Sequence, residues 1–76
     1  MEKINIEINT EYIKLDQLLK FAAIADSGVM AKDMILDGIC SVNGEICTMR
    51  GKKIRPGDIV TADFEDEMFE ITVEGK

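Results

Sequence analysis

Asn43-Gly44 constrains the fold of this chain more than any other pair of residues. It separates Ile39–Val42 from Glu45–Thr48, two short runs with apolar residues at alternate or adjacent positions. Both central residues of a two-residue type I′ turn need positive φ, a conformation Asn and Gly adopt most readily, so the stretch predicts an antiparallel hairpin. With a two-residue loop, Val42 falls opposite Glu45 and Cys40 opposite Cys47. A chain of 76 residues has apolar surface for one core, so residues 1–76 are expected to form a single domain around this hairpin.

The stretch after the hairpin is unusual in charge. Arg50, Lys52, Lys53 and Arg55 place four cations within six residues, and Gly51 among them lets the backbone bend sharply or approach a ligand. If this piece is extended, Lys52 and Lys53 point to opposite sides. Pro56-Gly57-Asp58 supplies a second turn, after which Ile59, Val60 and Ala62 enter a strand. Phe69, Ile71 and Val73 alternate with Glu70, Thr72 and Glu74 as a final strand, beyond a carboxylate-rich turn at Asp63, Glu65, Asp66 and Glu67.

The first half of the chain reads as strand, helix, helix. Ile4, Ile6 and Ile8 alternate with Lys3, Asn5 and Glu7, the period-2 pattern of a half-buried strand. Tyr12 and Ile13 suggest a short extended piece. Leu15, Leu18, Leu19 and Ala22 then recur at helical spacing, which predicts a helix from Leu15 to about Ala25, with Asp16 in its first turn. Ser27 is a good N-cap for a second helix from about Gly28 to Asp37, buried through Ala31, Met34 and Ile35 and ended by Gly38, with only a very short turn between the helices. The N-terminus of that second helix exposes backbone N–H groups, so Ser27 and Gly28 form a plausible phosphate seat.

Net charge is −6, which argues against a polyanionic partner until its distribution is considered. From Lys14 to Arg55 there are seven basic and five acidic residues, a balance of +2, whereas the flanks hold two basic and ten acidic residues, a balance of −8. Charges more than about 8 Å apart are largely screened at physiological salt, so the local balance decides. No apolar run approaches the roughly 18 residues of a membrane span, and the opening MEKINIEINTE alternates rather than forming an apolar block. The chain is therefore expected to be cytoplasmic, with no membrane partner. Two cysteines and no histidine fall short of a zinc site, so no metal and no cofactor are expected, and the cysteines are expected to be reduced packing residues. The absence of His, of a nucleophile-base pair and of a phosphate-binding loop motif predicts no catalysis and no small-molecule substrate.

With these residues in view the chain resembles the S-four RNA-binding domain, built on the alpha-L motif, and in particular its short stand-alone bacterial form with an added N-terminal strand. The resemblance is carried by IKLDQLLKFAAIADSGVMAKDMI, residues 13–35, and GICSVNGEICTMRGKKIRPGDIV, residues 38–60, so the core motif spans about 13–60. It implies an α+β fold in which two consecutive helices pack on a small, mostly antiparallel sheet. It also implies binding of structured RNA, ribosomal or transfer RNA and with it a place on the ribosome. The residues it implicates are Ser27, Gly28, Lys32, Arg50, Lys52 and Lys53, with Lys14, Lys20 and Arg55 as further candidates. Two positions depart from the pattern: Gly28 and Met49 stand where family members often carry basic residues. Together with Val29 and Met30 they motivate an alternative, a protein-interaction module on the same fold with weakened RNA affinity. A ubiquitin-like sulfur carrier is a poor fit, because the chain ends Glu74-Gly75-Lys76 rather than in two glycines.

Overall fold

A computed structural model describes all residues, Met1–Lys76. The elements run in the order β1 (Glu2–Ile8), β2 (Ile13–Lys14), α1 (Leu15–Phe21), α2 (Gly28–Leu36), β3 (Cys40–Val42), β4 (Glu45–Ile46), β5 (Lys53–Ile54), β6 (Ile59–Asp63) and β7 (Met68–Gly75). Five strands make one sheet in the order β1-β7-β6-β3-β4, and β2 pairs with β5 in a separate two-stranded ribbon. Every pairing is antiparallel except that of β1 with β7, so the fold is the expected α+β arrangement of two helices on a mostly antiparallel sheet.

The hairpin forms as its turn requires. Asn43 has φ 51° and Gly44 φ 89°, and Val42 faces Glu45 with Ser41 facing Ile46. The returning strand is shorter than expected, ending at Ile46, with one further bond from the Cys47 amide to the Cys40 carbonyl at 2.9 Å. The second turn, Arg55 to Asp58, has Gly57 at φ 97° and closes with the Asp58 amide on the Arg55 carbonyl at 3.0 Å. A side-chain clasp joins the two turns: Asn43 donates through Nδ2 to Asp58 Oδ1 at 3.0 Å and accepts the Ile59 amide on Oδ1 at 2.9 Å.

Both helices bury the stripes their spacing predicts. Leu15, Leu18 and Leu19 of α1 and Ala31, Met34 and Ile35 of α2 join Ile54, Val60, Ala62, Ile71 and Val73 in a core of fifteen residues, none of them polar. A core of this kind leaves no buried side-chain nitrogen or oxygen unmatched, and its larger apolar side chains contribute roughly 1.5–3 kcal/mol each when fully buried. The other face of the sheet carries Lys3, Asn5, Glu7, Glu70, Thr72 and Glu74, side by side in the β1–β7 register.

The end of α1 differs from the expectation. The helix stops at Phe21, not near Ala25, and a six-residue connection rather than a very short turn leads to α2. The cause is a left-handed residue, Ala23 at φ 61°, with the Ala23 amide bonded to the Lys20 carbonyl and the Ile24 amide to the Leu19 carbonyl, both at 3.0 Å. This is a Schellman termination. The same pair of bonds ends α2, from Gly38 to Ile35 and from Ile39 to Met34, with Gly38 in the left-handed position at φ 76°. Glycine advertises the second stop, whereas alanine conceals the first. A left-handed alanine is strained by about 1–2 kcal/mol, partly offset by its stiffer unfolded chain. Ala23→Gly is therefore expected to raise the unfolding free energy by about 0.5–1 kcal/mol, measured by urea denaturation with an unchanged m-value.

Candidate nucleic-acid interface

The basic loop is held by the start of α1. Leu15 donates its amide to the Lys52 carbonyl at 2.9 Å and Asp16 donates to the Arg50 carbonyl at 3.1 Å, while the Gln17 amide bonds Asp16 Oδ1 at 2.8 Å. These three amides are among the orphan donors of the helix N-terminus. The first two are consumed in positioning the loop, and because the loop contributes only carbonyls, its side chains remain free. A second tie is the β2–β5 ribbon, which sets Lys14 opposite Lys53 and Ile13 opposite Ile54. Lys53 Nζ lies 4.9 Å above the centroid of the Tyr12 ring, a cation-π contact that orients the ammonium group.

Lys14, Arg50, Lys52, Lys53 and Arg55 are thus gathered on one region at the foot of α1. Lys52, Lys53 and Arg55 line an open groove whose other wall is the β3–β4 hairpin with Ile46 and Met49. Asp58 also lines it, fixed by the Arg55 amide at 2.8 Å and by Asn43. These two bonds, that to the Arg55 backbone foremost, hold the Asp58 carboxyl below the usual carboxylate range, with a lesser contribution from the nearby Lys52 and Arg55 charges.

α2 presents the remaining candidates. Ser27 caps it as expected, its Oγ accepting the Met30 amide at 3.2 Å. Ala31 bonds back to the Ser27 carbonyl at 3.0 Å, which leaves the Gly28 and Val29 amides pointing outward without a protein acceptor. Lys32 projects from the exposed side of this helix beside Val29 and Leu36, and Lys20 from the last turn of α1. No hydrogen bond joins α2 to the basic loop, so the structure unites the loop candidates with Lys14 but leaves Ser27, Gly28 and Lys32 as a second group reached through the α1–α2 packing.

All nine candidate residues are exposed. None of their charged groups lies within ion-pair distance of a carboxylate, the one pair in the chain being Lys3 with Glu70 at 3.9 Å. Seven unpaired cations on an acidic protein keep their charge available to an outside anion. Sequence reasoning missed Tyr12 as the support of Lys53, and no periodicity could have signalled a contact across forty residues of chain. The cysteines are free, as expected. Burial, and then the proximity of Cys47, pushes the Cys40 thiol up to about 11, so it stays protonated and a poor nucleophile.

The fold and this surface define a class: a small α+β module that offers fixed, unpaired positive charge from one loop and two helices of an acidic chain. Comparison with known proteins places it more closely. Residues 6–72 match the S4 domain, and the chain belongs to the S4 domain family, the same S-four family that its helices and hairpin resemble. It is similar to the probable ribosome maturation protein RlbA of Bacillus subtilis strain 168, 44% identical over 55 residues, which cover 72% of this chain and 78% of that protein.

The Asp58 clasp supports a pH prediction. Because the folded carboxyl is held below its unfolded value of about 3.9, its contribution is present in full above that value and lost as pH falls through the lower folded one. Because its bonds are open to solvent, Asp58→Ala is expected to cost only about 0.5–1.5 kcal/mol at pH 7, and the difference between the two proteins is expected to narrow as acid titrates the wild-type carboxylate, followed by denaturation midpoints from pH 7 downward.

Proposed function

We propose that this protein binds structured RNA without catalysis, through a surface made of Lys14, Arg50, Lys52, Lys53 and Arg55 at the loop and Lys20, Ser27, Gly28 and Lys32 on the helices. The observation that carries this reading is the set of unpaired, exposed cations on an acidic chain, held by backbone bonds that leave the side chains free. Phosphates are met at the loop by point charges and at α2 by the two outward amides of Gly28 and Val29, which favour an anion through both hydrogen bonding and the helix dipole. Such contacts track the backbone of a folded RNA rather than read its bases, which suits recognition by shape. Ribosomal or transfer RNA is the expected class. The name of the similar Bacillus protein supports a role in ribosome maturation, in the cytoplasm; no helix of the chain is long and apolar enough to cross a membrane.

A second reading, contact with a protein through the same face, is supported by the exposure of Val29 at 71%, Ile46 at 70% and Met49 at 65%. Retention of a partner after nuclease treatment and at high salt would favour it.

RNA binding through this surface carries a definite salt dependence. Neutralising about four phosphates gives a slope of log K against log salt of roughly −3 to −4. Measured on a ribosomal RNA fragment by filter binding, a slope near zero overturns the reading. Replacing Lys32, Arg50 and Lys53 by Glu is expected to abolish that binding while leaving the circular dichroism spectrum unchanged, since all three side chains are exposed and without an ion pair, and Lys53 gives up only its contact with the Tyr12 ring.

A further inference from the structure

β1 is the outermost strand at one end of the sheet, with β7 on one side and no strand on the other. The opposite end is closed by β4, only two residues long. An edge of seven residues is a template for another strand, and proteins commonly blunt such edges with proline, a bulge or brevity. β1 has none of these and is guarded only by charge, at Glu2, Lys3 and Glu7.

The hydrogen bonding shows which of its backbone groups are open. The Lys76 amide donates to the Ile8 carbonyl at 2.9 Å, so Ile8 turns its peptide groups towards β7. Peptide groups alternate in direction along a strand, and Ile6 and Ile4 therefore do the same, while Lys3, Asn5 and Glu7 direct their N–H and C=O groups to the open edge.

We propose that a second copy of this chain pairs antiparallel along β1, with Asn5 opposite Asn5 on a two-fold axis, so that two five-stranded sheets become one continuous sheet. The register is selected by the backbone. Centring on Asn5 matches all the outward groups, Lys3 with Glu7, Asn5 with Asn5 and Glu7 with Lys3, each an exchange of two hydrogen bonds. A centre at Ile4 or Ile6 leaves one of the three unmatched.

The side chains agree with that register on both faces. On the outer face each Lys3 meets the Glu7 of the second copy. Within one chain Glu7 stands opposite Glu74, a like-charge pair that destabilises the β1–β7 ladder, and the incoming lysine supplies the missing cation. On the core face Ile4 falls opposite Ile6 twice. Both are only half-buried in one copy although they pack on the core, because β1 has no outer neighbour. Charge on the edge thus deters unrelated strands and fits a copy of itself. The two-fold axis stands perpendicular to the sheet, so both helix layers lie on the same side of the joined sheet, and an RNA large enough to span them meets two basic surfaces at once.

Sedimentation equilibrium on RNA-free protein, from micromolar to millimolar concentration, tests the proposal. The mass is expected to rise from 8.5 kDa towards twice that value. Asn5→Pro removes an edge N–H that β7 does not use, and is expected to weaken association by about tenfold or more with the monomer's amide spectrum otherwise preserved. Lys3→Glu and Glu7→Lys singly oppose like charges and weaken it also. The two together restore it, and they exchange the intrachain partners as well, Glu74 gaining the cation that Glu70 loses. A chain that stays monomeric to millimolar concentration overturns the proposal, as does association indifferent to Asn5→Pro, or a double reversal no tighter than the single ones. Because RNA is absent, none of these outcomes bears on RNA binding.

Discussion

The surface of this protein depends on the start of α1 bonding to the carbonyls of Lys52 and Arg50. A helix N-terminus must satisfy its first amides somewhere. Here those donors hold a loop that would otherwise be driven apart by four neighbouring cations. Since the attachment is made through backbone oxygen, no basic side chain is spent on it, and the helix dipole faces carbonyl dipoles rather than ammonium groups. The β2–β5 ribbon and the Asn43–Asp58 clasp fix the two ends of the same loop. The arrangement also divides labour between the helices: the amides of α1 are occupied by protein, and two of those of α2 remain open.

Charge is sorted by face. The loop carries Arg50, Lys52, Lys53 and Arg55 with no ion-pair partner, the helix layer mixes Lys20 and Lys32 with Asp16, Asp26, Asp33 and Asp37, and the outer face of the sheet carries Glu7, Glu70 and Glu74 with only Lys3 against them. A polyanion approaching the sheet is repelled, and one approaching the loop is attracted, so the acidic total orients an encounter rather than preventing it.

Much of this was legible in the sequence where the signal is local. Period-2 alternation disclosed β1 and β7, the Asn43-Gly44 pair set the register of β3 with β4, and Ser27 and Gly38 marked the limits of α2. The end of α1 was not legible because Ala23 adopts a conformation that sequence statistics assign to glycine. The parallel pairing of β1 with β7 was hidden for a different reason, since nothing within either strand names a partner more than sixty residues away. The candidate surface divides in the same way. Its charges could be counted, but the amide bonds that seat Arg50 and Lys52 and the Tyr12 ring beneath Lys53 arise only when distant segments meet.

Pairing of β1 with β7 bears on the order of folding. Ile4, Ile6 and Ile8 precede both helices in the chain, yet the strand that shelters them, β7, follows more than sixty residues later. The helices and the β3–β4 hairpin depend on neighbours close in the chain and can form during elongation, whereas the sheet can close only once residues 68–75 are free. Closure of the sheet is thus the non-local step of folding, held back until both strands are present. Until then β1 has both edges open.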